Sequence, residues 1–188
     1  RGLGDVDKRQ LLKAAFLDPN PVVMLEHKGL YWSKVPGTEN AKCPEPDEDY
    51  IIPFGKGRIF QHASQEKIDS GESLTVITYG MGVHWALNAS KKFPGSIEIV
   101  DLRTLYPMDD ELVYESVRRH GKCLVITEEK SLNSFAESLA GRISRNCFTS
   151  LDAPVEVIGS VNVPAIPLNS GLEAEMLPNA EKVSIVMD

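Results

Sequence analysis

The feature that most constrains the fold is a regular alternation of apolar runs and helical patterns between Leu74 and Glu129. Three short runs rich in β-branched residues lie at 74–79, 97–101 and 122–127. Helically spaced apolar residues fill the intervals between them, at 81–93 and 109–119. Strands that alternate with helices of about 10 to 15 residues predict parallel pairing through right-handed crossovers. Because the runs are almost entirely apolar, the sheet is predicted to be covered on both faces.

The flanking sequence completes this sheet. Residues 58–62 predict an edge strand, and an antiparallel edge is common in sheets of this kind. A helix is predicted at 134–148, a strand at 155–158, and two short helices at 170–178 and 180–187. The fold class is therefore α/β, a three-layer α/β/α arrangement with a roughly five-stranded, mostly parallel sheet and one antiparallel edge strand.

The chain before the sheet is interpreted as two parts. Residues 7–16 have the pattern of an amphipathic helix, which the prolines of 18–21 end, and Val22–Glu26 predicts a strand. One helix and one strand make a poor domain, so residues 1–33 are interpreted as the end of a preceding domain. The proline-rich and acidic residues 34–57 are interpreted as a linker, and residues 58–188 as the main domain. Since the chain begins with Arg1, it is expected to be a piece of a longer polypeptide.

Charge and cysteine content narrow the class of function. The net charge of −7 argues against binding to nucleic acid or to an anionic membrane, and no apolar run is long enough to span a bilayer. The three cysteines are Cys43, Cys123 and Cys147, and none has the Cys or His spacing of a zinc site. Buried thiols in a reducing compartment are the expectation, so the protein is predicted to be cytoplasmic.

The first candidate site follows the first central strand. Gly80 and Gly82 open the next helix, where an anion could be held, but Trp85 replaces the third glycine of a dinucleotide fingerprint. The glycines could equally serve only a tight turn. His84 lies in the first turn of this helix, beside the crevice where open α/β sheets bind ligands. It could donate a proton there, or be a surface or interface histidine.

Charged residues end the next two strands. Asp101 and Arg103 follow the second central strand, and Glu128 and Glu129 follow the third. Arg103 could bind a carboxylate or phosphate in a bidentate manner. Alternatively, Arg103 could pair with these acids in a strand-end ion-pair network. The predicted crevice thus contains His84, Asp101, Arg103 and Glu128. The other histidines, His27, His62 and His120, have no Cys or Asp partner at a telling sequence spacing.

A second candidate is a loop rather than a crevice. Residues 163–168 contain two prolines and four aliphatic residues, a composition that disfavours a strand and predicts an exposed loop. Exposed apolar runs often mark interfaces, and prolines reduce the entropy that a loop loses on binding. The predicted interface residues are Val163, Pro164, Ile166, Pro167 and Leu168. The alternative is that the loop folds back on its own sheet.

Several strings together resemble one known family. They are Leu74–Gly80, Val100–Asp109, Ile126–Glu129, Phe135–Ser138, Leu151–Pro154, Leu172–Glu173 and Leu177–Pro178, with Tyr50–Gly57 in the linker. In this order they resemble the C-terminal domain of the transketolase family, and more narrowly the β subunit of thiamine-diphosphate-dependent 2-oxo acid dehydrogenases. Pro19–Tyr31 resembles the end of that family's pyrimidine-binding domain. The resemblance covers nearly the whole chain.

The resemblance implies a parent enzyme that decarboxylates a 2-oxo acid and passes the acyl group to a lipoyl arm. Thiamine diphosphate and Mg²⁺ would serve that parent enzyme. The family's diphosphate motif, GDG followed by Asn, does not occur in this sequence, and the glutamate that activates the cofactor lies upstream. No catalytic, cofactor-binding or metal-binding residue is therefore assigned, and no cofactor is expected to bind this piece alone.

The resemblance also implies partners. They are the thiamine-binding domains of the same dehydrogenase component, a second copy in a homo-oligomer, and the dihydrolipoyl acyltransferase core. Two alternatives remain at this point. The chain could derive from a transketolase or a 1-deoxyxylulose-5-phosphate synthase, or it could be a stand-alone interaction module.

Overall fold

A five-stranded sheet forms the centre of the molecule. The computed structural model describes residues 6–31, 37–38 and 49–188. Its strands, numbered in chain order, are β1 Arg58–Gln61, β2 Leu74–Thr78, β3 Ile97–Asp101, β4 Cys123–Lys130 and β5 Glu156–Ser160. In space they run β1-β3-β2-β4-β5. Only β1 pairs antiparallel, with β3, while the other pairs are parallel. The predicted α/β class and the antiparallel edge strand are confirmed.

Helices cover the sheet and precede it. They are α1 Val6–Leu17, α2 Lys28–Tyr31, α3 Gln65–Asp69, α4 Met81–Ser90, α5 Asp110–His120, α6 Phe135–Asn146, α7 Ser170–Met176 and α8 Ala180–Met187, with a 3₁₀ turn at Phe148–Ser150. The predicted helices are present: α4, α6 and α7 are two or three residues shorter than predicted, and α1 is two residues longer. The short helices α2 and α3 were not predicted. In the part of the chain that the structure describes, no helix is both long and apolar enough to cross a membrane.

Strand residues alternate between two hydrophobic layers, as a pleated strand requires. Ile77 and Val125 face the layer packed under α5 and α6. Val76 and Leu124, their chain neighbours, face the layer under α4 and α8. The predicted full burial of Val125 is confirmed, since its exposed fraction is 1%. The three-layer arrangement follows directly from this alternation.

Local signals fix where α5 begins and ends. The Asp109 side chain accepts a hydrogen bond from the Leu112 backbone N–H and so caps the first turn. Gly121 ends the helix in the left-handed conformation, with φ 69°, which glycine adopts without steric cost. Lys122 and Cys123 then lead directly into β4. The crossover therefore delivers β4 to its place beside β2.

The predicted strand at Val22–Glu26 is wrong. This segment has no strand pairing, and the side chains of Val23 and Leu25 are 85% and 77% exposed. A strand is stabilised by hydrogen bonds to a neighbouring strand, and the described residues place no such neighbour beside it. Apolar composition alone therefore did not suffice to form the element.

The cysteines that the structure describes are buried and free. Cys123 and Cys147 both belong to the layer under α5 and α6. Burial raises the pKa of each thiol above its usual value, and for Cys123 the neighbouring Cys147 adds to the effect. Both are therefore unreactive core residues at neutral pH. Cys43 lies outside the described residues.

Candidate functional site

The carboxyl ends of β2, β3 and β4 meet at one edge of the sheet, where ligands bind in open α/β folds. The structure places the four predicted crevice residues on the segments that leave these strands. His84 is in α4, Asp101 is the last residue of β3, Arg103 follows two residues later, and Glu128 lies in β4. His84 is only 7% exposed, so it is a buried residue rather than a surface histidine.

Asp101 ties the edge strand to the turn after β3. Its Oδ2 lies 3.1 Å from Nη2 of Arg58 in β1. Its Oδ1 accepts the backbone N–H of Arg103 at 3.2 Å. Arg103 itself has φ 57°, an uncommon conformation for a residue with a side chain. The Asp101 carboxylate thus holds a strained turn in place and pairs with Arg58, an arginine that the sequence had not indicated.

The residues just before β1 pack against the same loop. The Gly55 N–H donates to Oγ1 of Thr104 at 3.0 Å, and the Gly57 N–H donates to Oδ2 of Asp109 at 3.2 Å. Ile52, three residues earlier than Gly55, is 1% exposed. The end of the linker is therefore attached to the carboxyl edge through the loop between β3 and α5.

Glu128 contacts the segment that precedes the linker. Its Oε1 lies 3.1 Å from Nε2 of His27. The sequence spacing indicated no Cys or Asp partner for His27, and in the structure its partner is a glutamate that stands 101 residues away. No local spacing could have indicated a contact over such a separation.

Carboxylates of this edge also occupy helix N-termini, where a bound anion would otherwise sit. Glu129 accepts the backbone N–H of Phe135 at 2.7 Å, in the first turn of α6. Asp109 caps α5 in the same way. Asp101 and Glu128 lie at the same edge, where Arg58 and Arg103 contribute positive charge. Within residues 6–31, 37–38 and 49–188, no three His, Cys, Asp or Glu side chains are grouped so as to hold a metal ion.

The opposite, amino-terminal edge holds a polar cluster that the sequence analysis missed. At its centre is Glu98 of β3, 1% exposed. Its Oε1 accepts the Ser116 hydroxyl at 2.7 Å and lies 3.2 Å from Nε2 of His120. Its Oε2 accepts from Nη1 of Arg119 at 3.2 Å and lies 3.5 Å from Nδ1 of His62. His62 and His120, for which the sequence spacing indicated no partner, thus share Glu98 as an acidic neighbour.

A second layer of hydroxyls supports this cluster. Thr75 bonds to Ser116 at 2.5 Å, and Ser73 bonds to Nδ1 of His120 at 2.7 Å. The Ser73–His120–Glu98 order resembles a hydrolase triad, but all three residues are buried, so no substrate can reach the serine. The cluster is a structural one.

Opposing forces act on the Glu98 carboxyl. Burial acts to raise its pKa, but the His120 ring, the Ser116 hydroxyl and the Arg119 charge outweigh burial and lower the pKa below its usual value. Glu98 is therefore ionised at neutral pH. The signal that could have revealed it is the one acidic residue, Glu98, inside the otherwise apolar run Ile97–Val100, because an unpaired buried charge is too costly to persist.

The sequence of this chain matches a known protein family. The profile of the family described as "Transketolase, C-terminal domain" matches residues 64–183. The chain belongs to this family. The match spans β2 to β5 and reaches into α8, so it includes both edges of the sheet described above. The resemblance inferred from the sequence is confirmed.

The relatives of this transketolase C-terminal domain are β subunits of dehydrogenases. The chain is 35% identical over 184 residues to 2-oxoisovalerate dehydrogenase subunit beta of Bacillus subtilis, covering 96% of this chain and 52% of that protein. It is 34% identical over 180 residues to pyruvate dehydrogenase E1 component subunit beta of Rhizobium meliloti, covering 94% and 36% respectively. The chain therefore spans about half the length of the first relative, and less of the second.

A solved structure supports the fold independently. A chain described as "Split gene transketolase, inactive beta4 tetramer" superposes with a TM-score of 0.58 at 21% identity, covering 78% of this chain and 46% of that one. At this identity the likeness concerns the fold of the transketolase C-terminal domain alone.

Proposed function

We propose that this chain is the C-terminal part of the β subunit of a thiamine-diphosphate-dependent 2-oxo acid dehydrogenase. The parent enzyme would decarboxylate a 2-oxo acid oxidatively and pass the acyl group to a lipoyl arm. The similarity to two β subunits over 94% or more of the chain supports this assignment. The alternative, a piece of a transketolase or a 1-deoxyxylulose-5-phosphate synthase, is supported only by a structural likeness at 21% identity.

The residues of this chain do not fit thiamine diphosphate. The carboxyl edge is lined by Asp101, Asp109, Glu128 and Glu129, and two of these carboxylates occupy helix N-termini that a diphosphate would need. In the proposed parent enzyme the cofactor and its Mg²⁺ would therefore be held by residues outside this chain, and no step of the reaction is assigned to the residues of this chain.

The domain boundaries are part of the proposal. Residues 1–33 would belong to a preceding domain, with residues 34–57 as linker and 58–188 as the C-terminal domain. The exposed apolar side chains of the first part support this, because Phe16 and Val23 are 82% and 85% exposed. Large apolar side chains exposed together indicate a surface that another part of the subunit covers.

Association is the role that we propose for the domain itself. The loop after β5 exposes apolar side chains, with Ile166 71% and Leu168 fully exposed, and Val163 and Pro164 exposed beside them. Pro167 is half-buried. This exposure is the observation that carries the proposal, since the alternative requires the loop to fold back on its own sheet. The partner would be a second subunit or the dihydrolipoyl acyltransferase core.

The substitution Ile166→Asp tests this role. At a contact surface, the partner would bury the Ile166 side chain. Replacing this side chain with a charged aspartate should weaken association about tenfold or more. The measurement is co-purification with the acyltransferase core, together with the sedimentation behaviour of the chain alone. The melting temperature should stay nearly unchanged, because Ile166 is exposed in the isolated chain.

Phe148→Asp is the matched control, since Phe148 is 78% exposed but lies outside the loop. This variant should associate as the wild type does. If Ile166→Asp lowers the melting temperature and leaves association intact, the loop is part of the core and the proposed role is wrong. Equal weakening by both variants would place the interface elsewhere.

A further inference from the structure

His27 makes two contacts that use different atoms of one imidazole ring. Its Nδ1 accepts the backbone N–H of Leu30 at 3.2 Å, in the helix α2 that directly follows. The same N–H also contacts the His27 carbonyl at 3.1 Å. Its Nε2 lies 3.1 Å from Oε1 of Glu128, which belongs to β4. One side chain thus joins a helix cap to the carboxyl edge of the sheet.

These contacts together determine the state of the ring. An Nδ1 that accepts from an N–H carries a lone pair, so the proton of the neutral ring resides on Nε2. The Nε2–H then donates to Glu128. A δ-protonated or doubly protonated ring would direct a hydrogen at the Leu30 N–H and lose the cap. The two contacts are therefore compatible only with the neutral ε tautomer.

Glu128 stands where a ligand of the sheet would bind. The side chain of His27 is 27% exposed and that of Glu128 is 40% exposed, so the pair is partly shielded from water. Among the residues that the structure describes, Glu128 is the charged group within ion-pair distance of His27. The charged neighbours of His27 in its own segment are Glu26 and Lys28.

We propose that His27 is a latch that fastens the segment 27–31 to the carboxyl edge of the sheet. Its Nδ1 organises α2, and its Nε2–H anchors α2 to Glu128. The crevice at this edge then binds the chain's own preceding segment and is not an open ligand site. The end of the linker contributes to the same attachment, because Gly55 and Gly57 donate hydrogen bonds to the loop that follows the neighbouring strand β3.

The tautomer is the first test. Long-range ¹H–¹⁵N spectra of the full chain at pH 7.5 should show a protonated Nε2 and an unprotonated Nδ1 for His27. In Glu128→Ala the ring should lose this single-tautomer signature. A wild-type ring in the δ tautomer, or one that averages between tautomers, overturns the proposal.

Trypsin cleavage after Lys28 is the second test, since cleavage reports the population of the opened segment. His27→Ala and Glu128→Ala should each accelerate cleavage about two- to tenfold, the range expected for one net hydrogen bond. The double variant should cleave no faster than the quicker single variant. His27→Gln should restore slow cleavage, because its amide can both accept from Leu30 and donate to Glu128.

Glu181→Ala is the matched control. It removes another exposed ion pair, at 2.8 Å, between Lys92, two residues after the end of α4, and Glu181 of α8. This variant should leave cleavage after Lys28 and the His27 spectrum unchanged. If Glu128→Ala does not accelerate cleavage while His27→Ala does, the histidine only caps α2, and the latch is disproved. Independent, multiplying effects of the two substitutions would also disprove it.

Discussion

The two edges of the sheet use their acidic residues in different ways. At the amino edge, Glu98 is almost completely buried and binds groups of α5 and the segment after β1. At the carboxyl edge, Asp101 and Glu128 are more exposed and bind Arg58 and His27, which come from earlier parts of the chain. The amino edge thus binds only groups of the domain itself, while the carboxyl edge also attaches, through His27, a segment that precedes the domain. The substitutions below should separate these roles by the size of their effects.

The largest loss of stability is expected for Val125→Asp, which places a charge with no partner in the middle of β4. Val125 is in the layer under α5 and α6, so the new carboxylate would have no described group to pair with. We expect the free energy of unfolding to fall by about 4 kcal/mol or more. Chemical denaturation measures it. An unchanged midpoint would show that β4 does not pass through the core.

Removal of the buried acid should have the next largest effect. Glu98→Ala leaves Ser116, His120 and Arg119 without their shared acceptor, and we expect a loss of about 2–4 kcal/mol. The estimate is below that for a fully buried pair because Arg119 is 37% exposed. Glu98→Gln keeps the shape and one acceptor, so its loss should be smaller. Equal, negligible losses in both variants would show that the cluster does not stabilise the domain.

The pH dependence of unfolding tests whether Glu98 is ionised in the folded chain. The pKa of Glu98 is lowered in the folded chain, so its contribution is present above the usual pKa of a glutamate. That contribution is lost as the pH falls through the lowered, folded value. The wild type should therefore lose more stability than Glu98→Gln when the pH is lowered from about 5 to 3. Parallel curves for the two proteins would contradict an ionised Glu98.

Removing a charge at the carboxyl edge should lower the free energy of unfolding by a smaller amount. Arg58→Ala removes the 3.1 Å pair with Asp101 and the stacking of the guanidinium over Phe60 at 5.0 Å. Because the Arg58 side chain is 33% exposed, we expect a loss of about 1 kcal/mol, measured by denaturation. A loss as large as that of Glu98→Ala would erase the distinction between the two edges.

Sequence alone predicted the sheet because each central strand is apolar and each helix carries its own start and stop signals. It could not predict the Glu98 cluster, whose members come from β3, α5 and the residues around β1 and β2. It could not predict the contact between His27 and Glu128, which joins residues 101 positions apart. It wrongly predicted a strand at Val22–Glu26, because strand formation depends on a neighbour that sequence pattern does not reveal. Local patterns specify elements, whereas the polar contacts between elements require the topology.

The central claim is that the carboxyl edge holds the chain's own segments and leaves no place for the cofactor of the proposed parent enzyme. Isothermal titration of thiamine diphosphate with Mg²⁺ into the purified chain tests it most directly. We predict no measurable binding, because Asp109 and Glu129 already occupy the helix N-termini at this edge. Saturable binding with a micromolar Kd would contradict the account.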